Sequence, residues 1–309
     1  MGGAVAAMPT IGAVLLDYEI EGILGIGGMA AVYRVRHPRL PRHFALKLLL
    51  PQSSSDPAYL ERFRQEADIL AKLRHPHLVE VIDWNVTATG QPFLVMELLE
   101  GCDLKQALES GPFTPQETLW VLAQLARALD RAHQAQVIHR DLKPQNLFLS
   151  RRKDGGLLLK VLDFGVAKLM DSQAQTDPGQ LLGTPHYMAP EQVRTDGVPI
   201  GPGTDQVAFA MLAHRMLSGR EYWSMQPVNN IIAILATEGV QHPPSRRGTR
   251  LGDRRSSTDG AAVVRPSHRT DQPLVLLQGR LPLDDFHLGR GFSPGGRRSV
   301  CASLAKTQK

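Results

Sequence analysis

The chain has 309 residues, 42% of them hydrophobic, enough for one large domain or two small ones around a substantial core. Its formal charge of +5 is uneven: residues 240–309 carry thirteen Lys or Arg against five Asp or Glu, a net +8, leaving −3 for residues 1–239. The basic balance therefore describes a tail and implies no specific nucleic-acid partner, and the lack of any run of eighteen apolar residues implies no membrane span.

Residues 1–17 read as an N-terminal extension, and Met1 to Leu16 has no basic leader. Residues 17–52 alternate and break as a small β-sheet does. Strands are predicted at Glu19–Leu24, Ala31–Arg36 and Phe44–Leu50, with Pro38 and Pro41 in a connection. Asp56–Pro57 opens a predicted helix through Leu73, because Leu60, Phe63, Ala67, Leu70 and Leu73 recur near helical spacing. Val79–Trp84 and Phe93–Leu98 read as two further strands around the loop at Thr87–Gly90.

After Gly101 the pattern becomes helical. Thr114 with Glu117 forms a predicted capping box for a helix to about Gln134. Short strands at Leu147–Leu149 and Leu157–Leu162 flank a turn at Asp154–Gly156, and helices are predicted at Asp205–Ser218 and Asn229–Ala236. The expectation is an α+β fold with a β-rich lobe at 18–99, a helix-rich lobe at 100–240 and a nucleotide site in the cleft between them. From Gln241 the periodicity dissolves, so residues 241–309 read as a basic tail of little structure. Cys102 and Cys301 form no CxxC pair, which predicts neither a disulfide framework nor a zinc cluster; a reducing, cytoplasmic setting is the default.

Three stretches carry chemistry. Gly25–Ile26–Gly27–Gly28–Met29–Ala30 lies between the first two strands, where small residues let a hairpin backbone approach phosphates. It lacks GK[ST] and a strand follows it, so it is neither a P-loop nor a dinucleotide-binding turn. Lys47 lies on the third predicted strand, and Glu66, nineteen residues later on the helix face of Phe63 and Leu70, can pair with it. A lone Lys/Glu pair is ordinarily a solvated bridge worth about 0–1 kcal/mol, so this pairing draws its weight from its neighbours. The richest stretch is His139–Arg140–Asp141–Leu142–Lys143–Pro144–Gln145–Asn146, followed seventeen residues after Asn146 by Asp163–Phe164–Gly165. Two acids and an amide at this spacing can position a hydroxyl nucleophile and a metal-bound triphosphate.

Together these motifs resemble the eukaryotic-type Ser/Thr protein kinase family, in its bacterial branch, from about Tyr18 to Gly239. The resemblance implies a two-lobed kinase-like fold, ATP and Mg²⁺ as cofactors, and transfer of the γ-phosphoryl group to Ser/Thr hydroxyls of proteins, autophosphorylation included. It implies that Gly25 and Gly27 lie over the phosphates, although Ala30 replaces the third glycine of the loop. Val32, Ala45 and Phe148 would sandwich the adenine, Met96 would be the gatekeeper, and backbone groups of Glu97 and Leu99 would hold the ring edge. Lys47 and Glu66 would form the phosphate-holding pair. Asp141 would be the catalytic base or the group that orients the substrate hydroxyl, Lys143 would neutralise phosphoryl charge, and Asn146 and Asp163 would hold the metal. Leu70, Val81, His139 and Phe164 would stack between the lobes, and Asp205 would receive the catalytic-loop backbone.

Lys143–Pro144 and Thr184, within Gly183–Thr184–Pro185–His186–Tyr187–Met188–Ala189–Pro190–Glu191, favour Ser/Thr over Tyr as the acceptor in family terms. Ser172 and Thr176 are candidate phosphorylation positions that could pair with Arg140. The arginine that would pair with Glu191 has no evident place, and the last C-lobe helices are not recognisable. The change of composition near Arg246 reads either as an out-of-frame continuation or as a divergent tail. Two other functions stay open on sequence alone: a kinase-like binding or scaffold protein, inactive because its C-lobe is incomplete, and a small-molecule phosphotransferase. The complete-looking segment ending at Glu191 weighs against the latter, and self-association is a further possibility within the family.

Overall fold

A computed structural model describes residues 8–27, 30–49, 57–164, 185–193 and 198–237, apart from the side chains of residues 57–60, 62, 65, 66 and 229. The upper part is an antiparallel sheet in the order β1-β2-β3-β4-β6-β5, from Val14–Leu15 (β1), Tyr18–Ile26 (β2), Ala30–Arg36 (β3), His43–Leu49 (β4), Val81–Val86 (β5) and Pro92–Glu97 (β6). Successive side chains on a strand face opposite sides of the sheet. Tyr33 and Val35, Phe44, Leu46 and Leu48, and Phe93 and Val95 therefore fill one core with Tyr18 and Ile20. Each fully buried side chain of this size contributes about 1.5–3 kcal/mol. The opposite face carries Ala45, Leu94 and Met96, which join a second core with helix α1 (Pro57–Lys72) through Phe63, Ala67 and Leu70.

A second sheet, β7-β8-β9, comprises Gly101–Asp103 (β7), Leu147–Arg151 (β8) and Leu157–Val161 (β9). Gly101 sits at φ 150°, where a Cβ would lie 2.0 Å from Leu149 O, so only glycine fits this approach of β7 to β8. The helices are α2 (Leu104–Leu108), α3 (Pro115–Gln134), α4 (Pro202–Ser218) and α5 (Val228–Thr237). Thr114 caps α3 as expected, exchanging side-chain bonds with the backbone through Glu117. Gly219, at φ 72°, ends α4 in the left-handed conformation. Among the described residues, no helix is long and apolar enough to cross a membrane.

The predicted strands and helices recur with their ends moved by a few residues. Val79–Trp84, for example, is found as Val81–Val86 because residues 77–79 take a different partner. His77 O accepts from Val161 N (2.8 Å) and Val79 N donates to Val161 O (3.0 Å), which ties the chain after α1 to β9. Three elements had no sequence signal: β1, β7 and α2, of two, three and five residues. The pairing of β1 with β2 makes residues 14–15, within the presumed extension, part of the upper sheet. The expectations for residues 1–7 and 241–309 lie outside the described residues.

Candidate active site

The site is assembled from the face of the upper sheet that carries Ala45, Lys47 and Met96 and from two loops beneath it. Register aligns Val32 with Lys47 and Lys47 with Leu94, while Ala45 pairs with Met96, so the alternation that buries Leu46 outward turns Ala45 and Lys47 inward. On the neighbouring hairpin Gly25 pairs with Val32, and Gly27 N donates to Ala30 O (2.8 Å), closing the turn. Gly28 and Met29 lie outside the described residues.

The His139–Asn146 stretch is held around Asp205, which is 1% exposed at the start of α4. Its carboxylate accepts from His139 N and Arg140 N, both at 2.9 Å, and from His133 Nε2 at 2.8 Å. A buried carboxylate costs several kcal/mol unless such donors satisfy it, and here they fix the loop backbone. Arg140 is thereby kept at φ 63°, a conformation that costs a non-glycine residue about 1–3 kcal/mol. His139 is fully buried, and burial holds its imidazole below the usual pKa. Its Nε2–H donates to Leu162 O (2.8 Å), and Nδ1 faces Asp141 N (3.3 Å), consistent with one neutral tautomer.

Within the loop, Lys143 Nζ donates to Asp141 Oδ2 (2.7 Å), and Asn146 Nδ2 donates to Asp141 O (2.8 Å) and Oδ2 (3.2 Å). Asn146 O accepts from Leu162 N (2.8 Å), joining this loop to the strand end that carries Asp163. Asp163, at φ 49°, meets Lys47 Nζ at 2.6 Å. Asp141, Lys143 and Asn146 thus come together directly, as do Lys47 and Asp163. The Glu66 side chain, expected beside Lys47, lies outside the described residues, as do Ser172, Thr176 and Thr184. Phe164 packs on His139 with ring centroids 4.8 Å apart, and Leu70 and Val81 are buried in the same core as Phe164. An apolar cavity bounded by Leu70, Val81, Leu94, Met96 and Phe164 adjoins the Lys47–Asp163 pair.

Several contacts had no counterpart in the sequence reading. Glu97 Oε1 meets Lys160 Nζ at 2.5 Å and accepts from Glu80 N at 2.8 Å, while Lys160 Nζ also donates to Leu78 O (3.2 Å). Glu97 N donates to Glu80 O (3.0 Å). Glu191, for which no arginine could be placed, accepts from Thr204 Oγ1 at 2.6 Å. No local pattern announces these pairs, since each depends on chain segments brought together by folding.

A glycine hairpin above, an asparagine–aspartate–lysine loop below and an apolar stack between two lobes define a kinase-like phosphotransferase architecture. The protein kinase domain family matches residues 18–253, and the chain belongs to that family, whose domain uses ATP. It is 37% identical over 243 residues to serine/threonine-protein kinase pkn3 of Myxococcus xanthus, covering 76% of this chain and 43% of that protein. It is 38% identical over 238 residues to PknH of Mycobacterium tuberculosis H37Rv, covering 77% of this chain and 37% of the relative. The chain therefore spans about two fifths of the length of these curated relatives. The crystal structure of the Mycobacterium tuberculosis PknI kinase domain is similar with a TM-score of 0.58 and 31% identity, over 71% of this chain and 82% of that one.

Proposed function

We propose that this chain transfers the γ-phosphoryl group of ATP to Ser or Thr hydroxyls of proteins, itself included. The observation that carries this reading is the Asp141 carboxylate held between Lys143 Nζ and Asn146 Nδ2. A carboxylate so placed can orient a hydroxyl and accept its proton, and the adjacent ammonium can offset charge on the transferring group. Lys47 would turn to the α and β phosphates with Glu66 as counter-charge, under the backbone of Gly25 and Gly27. Val32, Ala45 and Phe148 would enclose the adenine behind the Met96 gatekeeper. Because Glu97 N is committed to Glu80 O, the group left at that residue for the ring edge is its carbonyl, with the Leu99 backbone beside it.

Among the described residues no group of three or more His, Cys, Asp or Glu side chains could hold a metal ion. Mg²⁺ binds through one or two protein oxygens plus substrate phosphates, and Asn146 and Asp163 would supply those oxygens. When bound, the ion would neutralise and orient the phosphates. Asn146 Nδ2 points at Asp141, which leaves its amide oxygen turned away from that carboxylate as a ligand. We assign 18–99 and 100–240 as the two lobes, and phosphate on Ser172 or Thr176 would pair with Arg140.

Purified protein given labelled ATP, Mg²⁺ and a generic basic protein should label that protein or itself. Asp141→Asn and Lys47→Met should each reduce the signal to a small residual rate, about 10²-fold or more below wild type. A folded wild type that binds ATP and labels nothing would instead make the chain a binding or scaffold protein.

A further inference from the structure

We infer that Gln192 is a positioning residue that locks the Arg140–Asp141 peptide and thereby couples the segment ending at Glu191 to Asp141. The inference rests on the phosphotransfer reading only for its activity readout. Gln192 ends the short helical turn Pro190–Gln192, directly after buried Tyr187, Met188 and Ala189. Its Oε1 accepts from Ala189 N (3.0 Å) and its Nε2 donates to Arg140 O (2.7 Å). The two partners are an N–H and a carbonyl, so the amide can serve both in one orientation only, and no carboxylate or thioether can replace it.

The carbonyl it holds belongs to the peptide that leads into Asp141. The N–H of the same peptide donates to His139 O (2.9 Å), so both polar groups of one peptide unit are fixed. On its other side Arg140 N is held by Asp205. Between these anchors Arg140 keeps φ 63°, which the chain would relax if one anchor were lost. Relaxation rotates the peptide plane, and Asp141 turns with it. A peptide substrate lying against residues 185–192 would thus be read, through one amide, at the carboxylate that receives its hydroxyl.

Gln192→Glu keeps size and the acceptor for Ala189 N but sets an anionic oxygen against Arg140 O; Gln192→Met removes both bonds. Two measurements test the inference. Hydrogen exchange of the 140–142 amides should be about tenfold faster in Gln192→Glu, with α3 unchanged. In the phosphorylation assay, kcat should fall about ten- to a hundredfold in both variants while the KM for ATP stays within about twofold. Placed in an Asp141→Asn background, Gln192→Glu should change the residual rate by less than about twofold, because its effect runs through Asp141. Unchanged exchange at 140–142 overturns the inference whether or not the wild type is active, whereas an inactive wild type with the expected exchange overturns only the phosphotransfer reading. A loss that persists in full in the Asp141→Asn background, or unfolding of both variants, makes Gln192 a general stability residue and also sinks the idea.

Discussion

The two carboxylates of the site each meet a lysine, but in opposite ways. Asp141 pairs with Lys143, two residues away in the same loop, with side chains 19% and 22% exposed. Asp163 pairs with Lys47 across the lobes, with side chains 39% and 18% exposed. Both acids follow or occupy a left-handed backbone position, φ 63° at Arg140 and φ 49° at Asp163. The first is braced by Asp205, His139 and Gln192. The second has a long lysine reaching from another sheet. One centre is built into a single loop; the other exists only while β4 and the end of β9 keep their separation. Local wiring holds Asp141, whereas cross-lobe wiring joins Lys47 to Asp163.

The sharpest way to break this contrast is Asp141→Asn, expected to lower kcat by about 10²–10⁴-fold with ATP affinity retained, read by label incorporation and nucleotide titration. Lys47→Met should cost about 10²-fold in kcat/KM, and unlike the first substitution it should also free Asp163, visible as faster exchange near residues 162–164. Asp205→Asn tests the bracing itself. With a neutral amide facing three donors, stability should fall by about 2–4 kcal/mol, and His139 and Arg140 amides should lose protection, as measured by denaturant titration and exchange.

A smaller effect concerns pH. His77 is buried and bonded through Nδ1 to Leu159 O (3.1 Å), and burial pushes its pKa down from 6.5 to about 4. The unfolded chain thus binds the proton more readily, so the stabilisation is complete above about pH 6.5 and is lost as pH falls towards 4. Wild type should lose about 2 kcal/mol more than His77→Gln over that interval, read from denaturation midpoints at each pH. Least of all, Lys160→Met should lower stability by about 1 kcal/mol, since the pair is only partly exposed yet small in number of contacts; a calorimetric midpoint checks it.

Much of this architecture was legible because its signals are periodic or contiguous. Period-two runs such as 44–48 and the 3.6-residue spacing of Phe63, Ala67 and Leu70 mark elements long enough to repeat. β1, β7 and α2 are too short to show a period, and their existence depends on neighbours. At the site, His139 to Asn146 is an uninterrupted string whose chemistry can be read residue by residue. The Lys160–Glu97, Gln192–Arg140 and Thr204–Glu191 contacts join residues 63, 52 and 13 apart, and nothing in their local sequence requires the partner. Which acid Lys47 meets depends on how the lobes sit, and Asp163 holds it in this conformation.

The Lys160 ammonium touches Glu97 on the strand leading out of the upper lobe and the Leu78 carbonyl behind it. Drawing Glu97 away from β9 therefore has to break this ion pair, while the ammonium keeps the Leu78 carbonyl as its second acceptor.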